Sequence, residues 1–202
     1  MNAATVLIVP GLRDHVAQHW QTLLEAHLRA AGRPVVAVPP LGRDELDCDT
    51  KVAAIDRAAQ AIAGPIVIVA HSGGCVMLAH WAHWAHSARR TQRAVQAALL
   101  AVPPDFERPM PDGYPTLEAL RASGWLPVPR TRLPFPSIVA ASRNDPLADY
   151  DRVVALAQAW GSRLVDLGDV GHLNPASGYG EWPQALSFVN ELTTAGCTAC
   201  PA

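Results

Sequence analysis

Three residues of this 202-residue chain have the types and order of a nucleophile, an orienting acid and a base. Ser72 stands in Ala70-His71-Ser72-Gly73-Gly74, between the apolar run Ile66–Ala70 and the helix-like Cys75-Val76-Met77-Leu78. A strand that turns sharply into a helix at a serine lifts the hydroxyl above the sheet. That turn demands small residues two places before and two places after it. Ala70 and Gly74 meet the demand, Ala70 being the less usual choice. The N–H of Gly73 then falls at a helix N-terminus, where donors and dipole favour negative charge. Taken alone, the segment reads as well as a serine that caps a helix.

A serine hydroxyl is a weak nucleophile until a neighbouring base takes its proton, and the base needs a carboxylate to orient it. In the fold that uses such an elbow, the chain order is serine, acid, histidine, each after a strand. The run Ser137–Ala141 leads into Ser142-Arg143-Asn144-Asp145-Pro146, which puts Asp145 in the acid's place. The run Arg163–Leu167 leads into Gly168-Asp169-Val170-Gly171-His172, which puts His172 in the base's place. Asp149 and Asp151 come a turn later and read as opening a helix. Asp169, three residues before His172, reads as a supporting neighbour. His71 reads as packing or bonding locally, its side chain directed away from the apex. A second donor for an oxyanion is expected after the first strand, in Pro10-Gly11-Leu12-Arg13-Asp14, with the N–H of Leu12 as candidate. Pro-Gly is also a plain turn signal.

These residues need a scaffold, and the hydrophobic pattern supplies one. Apolar, β-branched runs recur at Thr5–Val9, Pro34–Val38, Ile66–Ala70, Val95–Val102, Ser137–Ala141 and Arg163–Leu167. Amphipathic stretches near His15–Ala31, Thr50–Ala63, Gly74–Arg90, Tyr150–Trp160 and Trp182–Thr194 separate them, and Gly32 fits a glycine closing the first. Continuous rather than alternating apolar strands imply burial on both faces. The expected fold is therefore α/β: a doubly wound, mostly parallel sheet of about six strands between two helical layers. Ligands of such sheets bind at the carboxyl ends of the strands, where Ser72, Asp145 and His172 all fall. Residues 1–194 read as one domain and 195–202 as a flexible tail. The proline-rich stretch Pro103–Pro136, with a short helix near Thr116–Ala122, reads either as a pocket wall or as a rigid surface loop.

Composition excludes several classes. Charged residues make up 17% and the net charge is −2, so neither a nucleic-acid footprint nor a membrane-binding polybasic segment is present. Arg89, Arg90 and Arg93 read as a solvated helix end. No signal peptide or membrane span is expected, and the chain reads as soluble and cytoplasmic. The Cys197-x-x-Cys200 pair reads as incidental thiols, and Cys75 as a small core hydrophobe. His80, His83 and His86 share a broad helix face, drifting about 60° per step. With no carboxylate or thiolate in register, they read as a surface or protein-contact face rather than a metal site. No metal or organic cofactor is expected.

Four blocks together resemble a known family, the small serine hydrolases related to retinoblastoma-binding protein 9. They are VPGLRDHVAQHWQTLLE with His19-Trp20, VAHSGGCVMLAHW around Ser72, ASRNDPLADY around Asp145, and VGHLNPASGYGEWPQAL around His172. The resemblance implies a minimal α/β-hydrolase fold without a large cap domain, and Ser72, Asp145 and His172 as a catalytic triad. Ala70 and Gly73 depart from the pattern. The last block matches well beyond what a catalytic loop requires, through Asn174, Ser177-Gly178 and Trp182-Pro183. The expected activity is hydrolysis of small carboxylic esters through an acyl-enzyme, with Leu12 and Gly73 as oxyanion donors. Trp20, Asn174 and Trp182 are the candidate pocket residues, and short apolar acyl groups the expected substrates. The alternatives are hydrolysis of amides, thioesters or lactones, or a protein-interaction module with a vestigial triad.

Overall fold

The computed structural model describes residues 3–13, 16–87 and 95–195, without the side chains of His86, Ser87 and Ala195. Its strands are β1 (Thr5–Val9), β2 (Val35–Ala37), β3 (Ile66–His71), β4 (Val95–Ala101), β5 (Ser137–Ala141) and β6 (Arg163–Asp166). Its helices are α1 (Trp20–Ala30), α2 (Cys48–Gln60), α3 (Gly73–Ser87), α4 (Leu117–Ala122), α5 (Tyr150–Trp160) and α6 (Pro183–Ala195), with a 3-10 turn at Pro175–Ser177. All neighbouring strands pair in parallel, in the order β2-β1-β3-β4-β5-β6. The chain leaves β1 for β2 on one side and returns for β3 on the other. The connections after β1 and β3 therefore diverge to opposite faces and leave a crevice at their carboxyl ends.

Side chains alternate between two cores. Leu7, Val9, Ile68, Ala70, Leu100 and Val139 pack under α2, α3, α4 and α5, against Ile55, Val76, Leu120 and Val153 among others. Val6, Ile8, Val67, Val69, Leu99 and Ala140 pack under α1 and α6, against Trp20, Leu24, Phe188 and Val189. Burial on both faces is why β1, β3 and β5 carry no polar alternation, whereas the edge strand β6 is exposed at Arg163 and Asp166.

Several boundaries differ from the sequence reading, each for a local reason. Helix α1 begins at Trp20 rather than near His15, because extended His19 caps it and its Nδ1 accepts the Gln21 N–H at 3.2 Å. Helix α2 begins at Cys48, two residues early, because Asp47 accepts the Thr50 N–H at 2.8 Å. Strand β4 stops before Val102, whose φ of 45° turns the chain out of the sheet. Asp14, His15, the Arg89, Arg90 and Arg93 cluster, and the tail with Cys197 and Cys200 lie outside the described residues.

The proline-rich stretch is bolted to the sheet. Arg152 of α5 donates to Asp105 at 2.7 Å and to Glu107 at 2.9 Å, and Arg130 donates to the same Glu107 carboxylate at 2.6 Å. The Trp125 and Trp160 indole N–H groups donate to Leu46 O and Pro129 O at 2.7 and 2.8 Å. His80 joins this packing, its Nε2 3.1 Å from Trp125 O, so one of the three histidines of α3 contacts the protein's own interior. His83 is exposed. Among the described residues no helix is long and apolar enough to cross a membrane. No described group of three His, Cys, Asp or Glu is placed to hold a metal ion.

Candidate active site

Ser72 sits between β3 and α3 with φ of 55°, a left-handed conformation that costs a side-chain-bearing residue energy. Two bonds hold it there: its N–H donates to Ala101 O, and its carbonyl accepts the Cys75 N–H, each at 2.9 Å. Close approach accounts for the glycines. A Cβ on Gly74 would stand 2.6 Å from the carbonyl oxygens of both Val9 and Pro10, and one on Gly11 would stand 3.2 Å from Ser72 Cβ. The β1 loop is thus pressed directly on the elbow. Buried Gln21 of α1 ties the crevice shut beneath it, donating from Nε2 to Val9 O and Val69 O at 3.1 Å each.

His172 Nε2 lies 2.7 Å from Ser72 Oγ, and its Nδ1 lies 2.8 and 3.0 Å from the two Asp145 oxygens. A carboxylate only accepts, so Nδ1 carries the proton and Nε2 is left to accept from the serine hydroxyl. Asp145 Oδ1 also accepts the Leu147 N–H at 2.8 Å. The His172 and Asp145 side chains are only 4% and 1% exposed, so the row is shielded from water apart from its serine end. A row of this kind can withdraw the serine proton as the oxygen attacks an electrophile. The rival acids are elsewhere: Asp149 and Asp151 open α5, and Asp169 is exposed.

The backbone around His172 is held from three sides. Gly171 N–H donates to Asn144 Oδ1 at 2.6 Å, and His172 N–H donates to Ser177 Oγ at 3.0 Å. Ser177 in turn donates from Oγ and N to Asn174 Oδ1, at 3.0 and 2.9 Å. His172 O lies 3.0 Å from His71 Nε2. Gly171 has φ of 58°, and a Cβ there would strike Ser177 Oγ, which fixes glycine at this point. The Asn174–Ser177 turn thus fixes the backbone from which His172 projects.

The pocket candidates lie differently from the sequence expectation. Trp20 and Trp182 are 1% and 8% exposed and cross edge-to-face at 4.9 Å in the core under α1 and α6. They are core rings rather than rings at the mouth, because burying two such large apolar surfaces outweighs presenting them to solvent. Asn174 uses its side-chain oxygen to cap the 3-10 turn. Gly73 is the first residue of α3, and Leu12 N lies 3.4 Å from where a Gly73 Cβ would be. Among the described residues neither N–H donates within the protein. The room that Gly73 leaves is filled by the Leu12 side chain, whose Cγ would stand 2.8 Å from a Gly73 Cβ. A surface cavity of about 770 Å³ between His83, Arg132, Phe135 and Arg163 lies at the opposite, amino-terminal end of β5 and β6.

Sequence reasoning missed Gln21 and Asn144. Both act over long separations, where spacing carries no signal. Buried thiols take no part: burial pushes the Cys48 thiol up to about 12 and that of Cys75 well above its ordinary value.

Solved structures with this architecture include a YdeN-like hydrolase from Pectobacterium atrosepticum, 27% identical over 96% of this chain and 92% of that one, with a TM-score of 0.77. Est1E from Butyrivibrio proteoclasticus, solved with ferulic acid bound, is 14% identical over 94% and 86% of the two chains, with a TM-score of 0.66. BorB, a type II thioesterase from the borrelidin biosynthetic cluster, is 15% identical over 95% and 93%, with a TM-score of 0.60. No match emerged among the curated proteins. Residues 6–191 match the serine hydrolase family, which takes in the strands, the elbow and the His172 loop alike, and the chain belongs to that family.

Proposed function

We propose that this serine hydrolase cleaves small carboxylic esters through an acyl-enzyme on Ser72. The observation that carries the reading is the unbroken row from Ser72 Oγ through His172 to Asp145, with links of 2.7 and 2.8 Å. His172 Nε2 takes the hydroxyl proton as Oγ bonds to the ester carbonyl carbon. Asp145 holds the imidazole by Nδ1 and stabilises its charged form. The N–H groups of Leu12 and Gly73 receive the oxyanion, an interaction worth about 3–4 kcal/mol per donor. His172 then gives the proton to the departing alkoxide. Water, deprotonated by the same nitrogen, releases the acid and restores Ser72.

Leu12, packed onto Gly73 beside the nucleophile, supports a preference for short apolar acyl groups. The likeness of the sequence blocks to hydrolases related to retinoblastoma-binding protein 9 supports the same residue roles. The free, buried thiols of Cys48 and Cys75 fit the reducing cytoplasm as its compartment.

Ser72→Ala is expected to abolish hydrolysis of p-nitrophenyl acetate and labelling by a fluorophosphonate; undiminished activity would refute the assignment. Thioester cleavage is the second reading, favoured by the shared fold of a type II thioesterase. Comparing kcat/KM for matched acyl esters and acyl thioesters separates the two. A folded wild-type protein that neither labels nor turns over either series would instead support an interaction module.

A further inference from the structure

One buried histidine is unused by the steps above. His71 ends β3 immediately before Ser72 and is 5% exposed. Its Nε2 lies 3.0 Å from the carbonyl oxygen of His172, and the two rings are 5.1 Å apart. His19 packs edge-on against its other side at 4.5 Å, and Trp20 at 5.8 Å. A carbonyl oxygen only accepts, so Nε2 of His71 carries the proton in this contact.

The loop that this bond reaches does not hold its shape unaided. Leu173 has φ of 46°, a left-handed conformation that a leucine adopts only when its surroundings enforce it. Enforcement comes from both other members of the row. His71, next to Ser72, holds the His172 carbonyl, while Asn144, next to Asp145, holds the Gly171 N–H. We propose that His71 is a positioning residue for His172, setting the height of its imidazole over Ser72 by donating Nε2–H to the His172 carbonyl. The inference rests on the reading of His172 as the base. It also requires an uncharged His71, since a second cation beside His172 would oppose the imidazolium formed during attack. Burial, with His172 and His19 as neighbours, holds His71 well below its ordinary value and meets that requirement.

The test compares His71→Leu, which fills the space without a donor, with His71→Gln, whose amide N–H reaches the same carbonyl. A misplacement of about 1 Å costs on the order of 100-fold, so His71→Leu should lose about 10- to 100-fold in kcat on p-nitrophenyl acetate with KM nearly unchanged. Fluorophosphonate labelling should slow in parallel, and His71→Gln should recover to within about 5-fold of wild type. A His71→Leu enzyme with wild-type kcat, or a His71→Gln enzyme as slow as His71→Leu, overturns the proposal. Should His71→Leu fail to fold, nitrogen NMR of the wild-type protein at neutral pH decides. A neutral Nε2–H ring at His71 supports the proposal, and an Nδ1–H or charged ring overturns it. His172→Ala keeps the two readings apart. If it retains full activity, the base assignment fails; if it is inactive while His71→Leu is unimpaired, only the positioning role fails.

Discussion

Replacing Gly74 by alanine tests how tightly the β1 loop and the nucleophile elbow are joined. The added Cβ would stand 2.6 Å from two oxygens, Val9 O and Pro10 O, both backbone and neither able to rotate away. Reaching ordinary contact at 3.4 Å requires the loop and the start of α3 to part by about 0.8 Å. Alanine gains up to about 1 kcal/mol over glycine in a helix, but overpacking costs about 1–3 kcal/mol, so destabilisation wins. At this chain length that net loss lowers Tm by a few degrees, roughly 2–4 °C per kcal/mol. The same movement separates the Leu12 N–H from the Gly73 N–H. If these receive the oxyanion, kcat on p-nitrophenyl acetate should fall toward the 100- to 1,000-fold that loss of one such donor costs, on the order of 3–4 kcal/mol. Gly73→Ala is the control, because its Cβ meets the side chain of Leu12, which can rotate. It should spare Tm and alter acyl-chain preference instead. A Gly74→Ala enzyme with wild-type Tm and kcat would refute the reasoning.

Two further predictions concern single side chains. Ser177→Ala leaves the buried His172 N–H without its acceptor, at a cost of about 1–3 kcal/mol, and should lower both Tm and kcat, read by calorimetry and steady-state kinetics. Burial holds His80 below its ordinary value of 6.5, so the unfolded chain binds the proton more readily than the folded one. Its contribution is full above pH 6.5 and is lost as pH falls further. His80→Gln, which keeps a donor toward Trp125 O, should therefore flatten the decline of Tm below pH 6.5 without changing Tm at pH 8.

The meeting of Ser72, Asp145 and His172 is legible in the sequence because each follows a strand whose apolar run marks it, and parallel strands bring their carboxyl ends to one edge. The two-faced burial of the sheet is legible for the same reason. What eluded the sequence is the direction of side chains off that frame. Trp20 and Trp182 stand close to functional blocks along the chain, yet their rings turn inward to meet across α1 and α6. The start of α1 was displaced because a histidine, outside the usual capping residues, supplies the cap. Asn144 and Gln21 act through bonds to backbone atoms 27 and 48 residues away, and no local pattern records such partners. The anchoring of the proline-rich stretch depends likewise on Arg152, 47 residues beyond Asp105.

The placement of α6 has a consequence for how the protein is made. Ala185, Phe188, Val189 and Leu192 cover the middle of the sheet, over Val67, Val69, Leu99 and Ala101. A ribosome adding about 5–20 residues per second completes β4 several seconds before it releases those four side chains. When β4 is complete the nascent chain has four of the six strands, with α1 but not α6 on this face, and Ser72 has no His172 loop beside it. Ser72 and the His172 loop thus come together only late in synthesis, and this face of the sheet closes only when α6 docks over strands made earlier.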